Sequence, residues 1–463
     1  MKRHDDAVNE VLLSTLKRAV NGEANHCSGK LSVRYPCFTI KPTGCRPWNA
    51  LTTTTKGLLT LQELFEDHED EATWSNVVAD VAATQDWGVK PLTRTFVNGV
   101  AEVFQVRLAY GLSVESTGNH PWFVKAHHTK GNLEPSNLWV ATENLTPGDV
   151  LDIKVGVYTS IEHAALKPLK TTALRMRGAA NPITQPTNMN PDLAWLLGYL
   201  WGDGSMSPLK YRLRWLDRNT ENLDKANQIF KEQFGICGNI FKDPKKDAHS
   251  LEIGNAELWH WLIKNGVFKY HADEIDLIPQ VVRASAQEDI IAFLAGLIDA
   301  DGSISRQKDK TVSLAAAQES FARHVQNIGW AVGVAFGLSH NTVGENWQQV
   351  RKSMFLMTIS SATRPEAIEL LVKHSNKMAA ADAEPRQWRC DREGRAVRRI
   401  VGKVESVESI GEMPTFDVEV ADNHWFYAGA VKSHNTSKLF VLTERSAPAL
   451  YVCLPLLASV QER

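Results

Sequence analysis

No CxxC pair occurs in these 463 residues, and no uncharged apolar run reaches the roughly 18 residues of a membrane span. The six cysteines, Cys27, Cys37, Cys45, Cys237, Cys390 and Cys453, are scattered. That spacing argues against a zinc cluster and does not resemble a secreted disulfide framework. A reducing, intracellular setting, cytoplasmic or nuclear, is expected, with thiols free for chemistry. The opening MKRHDD has no apolar h-region, so no secretory signal is expected. An excess of one charge is also lacking: 51 Lys and Arg face 53 Asp and Glu. The global balance does not advertise a nucleic-acid partner, although binding needs only a local basic face. The length permits two or three cores, since single cores rarely exceed about 250–300 residues.

What is present has two textures. From Cys45 to about Asp152 the chain reads as short strands. TFVNG and AEVFQVRLAYGLSVEST alternate apolar and polar residues around Asn98-Gly99, a hairpin signal. The texture returns at 400–435 in VGKVESVESI, TFDVEVA and WFYAGAVK. Between them, Pro191 to Met378 reads as mixed helix and strand. The layout is a β-rich domain split by an inserted α+β domain. Arg177–Met189, rich in Pro and Asn, marks the entry, and polar Ala380–Arg395 marks the exit. The flanks, with a helix-like AVNEVLLSTLKRAV, a strand-like SVRYPCFTI and a terminal SKLFVLTERSAPALYVCLPLLASV, are each too short for a core.

Inside the inserted part, Leu196–Gly204 reads LLGYLWGDG and Leu294–Gly302 reads LAGLIDADG. Each is an apolar helix with an acidic tip. Two copies suit a two-fold site that holds metal and cuts a two-stranded substrate. The second string matches the LAGLIDADG signature letter for letter, and the region resembles the LAGLIDADG homing endonucleases. The resemblance implies an α+β domain of pseudo-two-fold symmetry, its motif helices packed through Gly198, Ala295 and Gly296. It implies that Asp203 and Asp301 reach the DNA cleft and hold Mg²⁺ with the scissile phosphates. Asp299 is then a helix-end or secondary acid, since Trp201 stands at its place in the first motif. The implied activity is a site-specific double-strand break in a long asymmetric DNA target, made by a monomer. After the first motif, SMSPLKYRLRWLD sets Lys210, Arg212 and Arg214 on one strand face. After the second, SISRQKDKTVSLAAA repeats the period with Arg306, Lys308 and Lys310. These suit phosphate and base contacts, and a solvated sheet face gives the same pattern. Lys242, Lys245, Lys246, Arg351 and Lys352 add basic character. Many relatives carry a lysine two residues before an Ile-Pro pair; here that position is Asp276, and Lys269 is the nearby substitute.

The β-rich parts carry a different constellation. CRPWNALTTTTKGLLTLQEL runs from a cysteine to a Thr-x-x-Gly turn, STGNHPWFV holds Thr-x-x-His, and AVKSHNTS ends in His-Asn-Thr. Alone, each is bland: a lone cysteine is usually a buried thiol, and TxxH usually a satisfied turn. Together, in order, they resemble the inteins, self-splicing Hint-fold elements, over Cys45–Asn435. The resemblance implies a multidomain chain: an all-β Hint splicing domain (45–176 and 396–435) split by a LAGLIDADG endonuclease domain (190–379). Residues 1–44 and 436–463 become extein fragments, the substrate of splicing. The Cys45 thiol, partly thiolate, would attack the Gly44 carbonyl to form a thioester. His120 would donate to the departing amide nitrogen while Thr117 strains and orients that bond. Asp417 and His424 occupy family positions, with Asp417 as a base beside Thr436. Thr436 would receive the acyl group, and Asn435 would cyclise with His434 polarising its carbonyl. No cofactor is implied for splicing. A Hedgehog-type autoprocessing domain shares the early residues but not the Asn-hydroxyl ending. The rival readings are an endonuclease with an inactive splicing centre, a splicing-only intein with a decayed nuclease, and a DNA-binding scaffold.

Overall fold

The computed structural model describes residues 38–41, 44–65, 73–77, 82–86, 88–129, 132–170, 182–244, 246–269, 277–306, 310–341, 354–359, 364–382, 400–422, 424–434 and 440–443. Two long strands, Gly88–Leu108 and Gly402–Val420, form the spine of a 13-stranded sheet. They lie on opposite sides of the insert in sequence and pair antiparallel from Val404↔Leu108 to Val420↔Leu92. This pairing closes the β-rich part across the insert. Their inward residues, among them Val106, Leu108, Val404 and Val418, pack with Trp122, Val124 and Phe426 in one apolar cluster.

The hairpin expected at Asn98-Gly99 is absent: both residues lie inside the strand Gly88–Leu108. Gly99 sits opposite Thr415 and Val97 opposite Phe416, so Asn98 is the extra residue of a bulge. Gly99 takes φ +86°, and Asn98 Nδ2 donates to Thr415 Oγ1 at 2.9 Å. The positive φ that suits Asn-Gly to a tight turn also suits a bulge. The partner strand, distant in sequence, decided between them.

The flanks meet. Phe38–Lys41 pairs antiparallel with Phe440–Thr443, from Phe38↔Thr443 to Lys41↔Phe440. The helix-like AVNEVLLSTLKRAV lies outside the described residues.

The inserted part holds helices α1 (Pro191–Gly202), α2 (Thr220–Ile229), α3 (Ala256–Lys264), α4 (Gln280–Arg283), α5 (Gln287–Asp301), α6 (Glu319–Val332), α7 (Pro365–Val372) and α8 (Asn376–Ala380). Asn190 caps α1 by accepting from the Leu193 amide, and Pro191 follows at the first turn. α1 and α5 carry almost no polar face because they bury each other. A Cβ on Gly198 would stand 2.0 Å from the Phe293 carbonyl oxygen, and one on Gly296 2.2 Å from that of Trp195. Only glycine permits this approach. A four-stranded antiparallel sheet follows each helix. One orders Gly204–Ser207, Arg212–Asp217, His249–Gly254, Asn239–Lys242; the other Gly302–Ile304, Val312–Ala316, Met354–Ile359, Gly337–Asn341. In both, the last strand in sequence slots between the second and third.

The basic alternations differ from expectation. The first is broken by Pro208: Lys210 ends the short 3₁₀ turn Pro208–Lys210, and only Arg212 and Arg214 lie on a strand. Proline lacks the N–H of a central ladder, so the chain turns there. The second falls between strands Gly302–Ile304 and Val312–Ala316, so Arg306 and Lys310 sit at a hairpin tip rather than along a strand. Its unbroken polar run has no apolar residue to bury. Lys308 is outside the described residues.

The two parts share a core. Leu51, Leu58 and Tyr427 of the β-rich part pack in the cluster that contains α1 and α5. Arg283 of α4, 2 % exposed, donates to the Leu58 carbonyl at 2.7 Å, to the Ile278 carbonyl at 2.8 Å and to Glu63 at 2.7 Å. Among the described residues no helix is long and apolar enough to cross a membrane.

Candidate nuclease and splicing centres

The tips of α1 and α5 touch. Asp203 follows the last residue of α1 and Asp301 ends α5. A Cβ on Gly202 would lie 2.3 Å from Ala300 Cβ and 3.2 Å from Asp301 Oδ2. Burial pushes the Asp203 carboxyl up to about 7, and the Asp301 charge adds to it. Burial raises Asp301 too, against the pull of Lys269 and Lys377. Lys269 Nζ donates to the Leu200 and Gly202 carbonyls at 3.1 and 2.6 Å, and also to that of Trp201. Lys377 Nζ does the same at the other helix, to Ala300 and Gly302 at 3.0 and 2.8 Å. Each ammonium satisfies carbonyls that a helix end leaves open. Burial lowers Lys269 to about 8, with both carboxylates opposing.

Lys269 thus stands at the site and Lys377 mirrors it, a residue that the sequence reading missed. The open carbonyls of each motif helix were the available signal, but the approach of residue 377 depends on tertiary packing. Asp276 lies outside the described residues. Asp299 is a buried anchor rather than a cleft acid, accepting from Trp195 Nε1 at 2.8 Å and from Ser375, Asn376 and Lys377.

Asp203 also lines a cavity of about 240 Å³ with Ser205, Arg214, Leu216, Asp243 and Lys246. Arg214 bonds Asp243 at 3.1 Å and Ser250 at 2.9 Å; Arg212 bonds Glu252 at 3.0 Å. These guanidiniums are held in line along the sheet. Lys210, Lys242 and Arg306 are exposed, and Lys310 donates to the Ala381 carbonyl at 3.0 Å. Lys245, Arg351 and Lys352 lie outside the described residues. Two carboxylates whose charges oppose each other, beside paired lysines, form an oxygen-donor set suited to a hard divalent cation once phosphate oxygens join. Among the described residues no group of three or more His, Cys, Asp or Glu side chains gathers around one point.

A second centre surrounds the Gly44–Cys45 peptide. The Cys45 amide donates to Thr117 Oγ1 at 2.8 Å, and the Thr117 amide donates to the Cys45 carbonyl at 2.8 Å. His120 Nδ1 lies 2.9 Å from the Gly44 carbonyl oxygen, and Nε2 lies 2.9 Å from Ser433 Oγ. A carbonyl only accepts, so Nδ1 carries the proton and Nε2 accepts from Ser433. Burial drives His120 down to about 3, which keeps it neutral. Its ring therefore meets the carbonyl oxygen, not the amide nitrogen expected above; that N–H is itself a donor, already given to Thr117. A Cβ on Gly44 would fall 2.0 Å from His120 Cα.

Cys45 is fully buried. Burial pushes its thiol well above the usual range and Asp417 pushes it further, so the partial thiolate expected of it is suppressed. Asp417 is buried, and Val418 N donates to its Oδ1 at 2.8 Å. Arg46, lowered to about 10 by burial and supported by the Asp417 charge, lies beside them. His434 packs edge-on to Trp139, centroids 4.8 Å apart. His424 takes φ +57° and leads into Trp425–Ala428, the strand paired with Val431–His434. Asn435 and Thr436 lie outside the described residues. The fold thus gathers Cys45, Thr117, His120, Asp417 and His434 and adds Ser433, which sequence reasoning missed.

Residues 288–351 match the family model described as LAGLIDADG-like domain, so the inserted part contains such a domain. Curated relatives include the isomerizing glutamine–fructose-6-phosphate aminotransferase of Methanocaldococcus jannaschii, 28 % identical over 173 residues, 37 % of this chain and 16 % of that protein. An iron-sulfur cluster assembly SufBD family protein of Mycobacterium leprae is 22 % identical over 78 % of this chain and 41 % of its own length. The replicative DNA helicase DnaB of Rhodothermus marinus is 24 % identical over 72 % and 32 %. The chain therefore spans well under half of each. Among solved structures, I-DmoI in complex with DNA and Ca is 17 % identical over 42 % of this chain and 98 % of that one, at a TM-score of 0.30. A variant of the Ssp DnaB mini-intein is 7 % identical over 85 % and 100 %, at a TM-score of 0.24. At these TM-scores neither likeness carries the argument.

Proposed function

We propose that the inserted domain is a DNA endonuclease of the homing type, lodged in a Hint-like β-rich scaffold. The observation that carries this reading is the pair of abutting helix tips, each with one carboxylate and one lysine. Asp203 and Asp301 would hold Mg²⁺, which would polarise phosphate and supply an activated water. The chain's own part is to fix that geometry. α1 and α5 lock the carboxylates through Gly198 and Gly296, and Lys269 and Lys377 offset phosphate charge. The repeated plan of helix plus four strands supports a pseudo-symmetric reading, with one half per DNA strand. Arg212 and Arg214, with Lys210, Arg306 and Lys310 at or near the hairpin tips and Lys308 of the same basic run, would contact the duplex. The family-model match falls on this domain, so the DNA-cleaving reading stands first. The test is a plasmid carrying the coding sequence of residues 1–44 fused directly to that of 436–463. Wild type with Mg²⁺ should linearise it, and Asp203→Asn or Asp301→Asn should not. Cutting that survives in both variants would sink the ligand assignment.

A second reading, self-splicing of Cys45–Asn435, is favoured by the clamp on the Gly44–Cys45 peptide. Thr117 holds the amide while His120 polarises the carbonyl. Cys45 Sγ bonds to the Gly44 carbonyl carbon as the C–N bond breaks, and the nitrogen gains a proton, giving a thioester. Thr436 Oγ then takes the acyl group and releases the thiol, and Asn435 cyclises to cleave its own C-terminal bond. The matched relatives' names, an aminotransferase, an assembly protein and a helicase, share no activity, as expected of a portable segment. Intact mass decides. Excision should yield the 45–435 fragment and a joined flank product; a wild-type chain that stays whole across pH and temperature defeats this reading, as a Cys45→Ala, Asn435→Ala control must stay whole.

A further inference from the structure

Of the positions at which the two motifs differ, one changes the charge. Where the first motif has Trp201, the second has Asp299, two residues before Asp301. Asp299 is fully buried, away from the cleft. Its carboxylate accepts from Trp195 Nε1 of the opposing motif helix at 2.8 Å, from the Ser375 hydroxyl, and from the Asn376 and Lys377 amides at 3.0 and 2.9 Å. Asn376 Nδ2 reaches Asn222 Oδ1 at 3.2 Å, and Asn222 Nδ2 returns to the Asp299 carbonyl at 3.1 Å. The Lys377 ammonium then spans the Ala300 and Gly302 carbonyls on either side of Asp301. The other half is held differently: the Lys269 amide donates to the Met206 sulfur at 3.3 Å, a weak acceptor.

We infer that Asp299 is a positioning residue for Lys377, and that through Lys377 it governs the rate at which one of the two DNA strands is cut. The inference rests on the nuclease reading. Two consecutive amides on one carboxylate fix the backbone of residue 377, and its side chain has only to extend to the acidic tip. A shift of about 1 Å in a group near the reacting phosphate costs up to about a hundredfold in rate. An amide side chain at 299 cannot replace the carboxylate, because its NH₂ would face donors. The same shift leaves Lys269, bonded to carbonyls at the end of the other motif helix, in place.

The test uses the full chain, Mg²⁺ and a duplex spanning the fused 1–44/436–463 junction, with each strand end-labelled. Lys377→Met and Lys269→Met mark which strand each half cuts. Asp299→Asn should slow the Lys377 strand by about tenfold or more, leave the other within about threefold, and accumulate nicked duplex. Ser375→Ala, which removes one of the donors, should bias the same strand less. Equal slowing of both strands, as general destabilisation would give, overturns the inference, and so does bias toward the Lys269 strand. Hydrogen exchange gives a readout besides cutting. The Asn376 and Lys377 amides should exchange faster in Asp299→Asn, and unchanged exchange overturns the anchoring. A wild-type chain that cuts neither strand overturns the nuclease reading and the kinetic role with it, while exchange still decides the anchoring.

Discussion

Asp203 is a residue placed against its own stability. Its folded value of about 7 exceeds the ordinary 3.8, so the native state prefers the protonated acid. Stability is therefore lost as pH rises from about 4 through 7. Asp203→Asn should melt a few degrees higher than wild type at pH 8, by calorimetry, while losing Mg²⁺ binding. Metal competes with that proton, so Mg²⁺ affinity by titration calorimetry should weaken about tenfold per pH unit below 7. His120 shows the opposite sign. Its value falls from 6.5 to about 3 on folding, so the stability it supplies is complete above 6.5 and drains away as pH falls toward 3. His120→Phe should flatten the acid limb of a urea-denaturation series across that window; an unchanged limb would show that other groups set it. The residue types at both centres were legible in the motifs. Lys377 and Ser433 were not, because each matters only through a partner far away in sequence.

At the scale of elements, the motif helices were legible because mutual burial leaves no choice of residue: apolar all round, glycine where backbones meet, carboxylate where the helix exits. Gly198→Ala should cost about 1–3 kcal/mol in denaturant melts and reduce DNA cutting, since a Cβ 2.0 Å from the Phe293 carbonyl forces the helices apart. A neutral result would mean that the pair slides freely. The strands were harder to read. Asn98-Gly99 carries a local turn signal, yet the 402–420 strand captures it as a bulge. The basic period-two runs looked like strands because periodicity ignores Pro208 and the missing apolar partner face between Ser305 and Thr311. Local pattern names an element only where tertiary partners agree with it.

At the scale of the whole molecule, the insert is not a tethered passenger. Arg283 reaches from α4 into the β-rich part, and Leu51 and Leu58 enter the core of the motif helices. Arg283→Met would strand Glu63 and two backbone carbonyls at the seam, at a cost of about 3–5 kcal/mol. Thermal unfolding should then split from one transition into two, and a single unshifted transition would show that the seam does not couple the parts. The paired flanks have a consequence of another kind. Phe38–Lys41 and Phe440–Thr443 already lie in antiparallel register around the guest. On the splicing reading, joining residue 44 to 436 would put these two strands on one continuous chain in the register they already hold, so excision would ask no re-pairing of them.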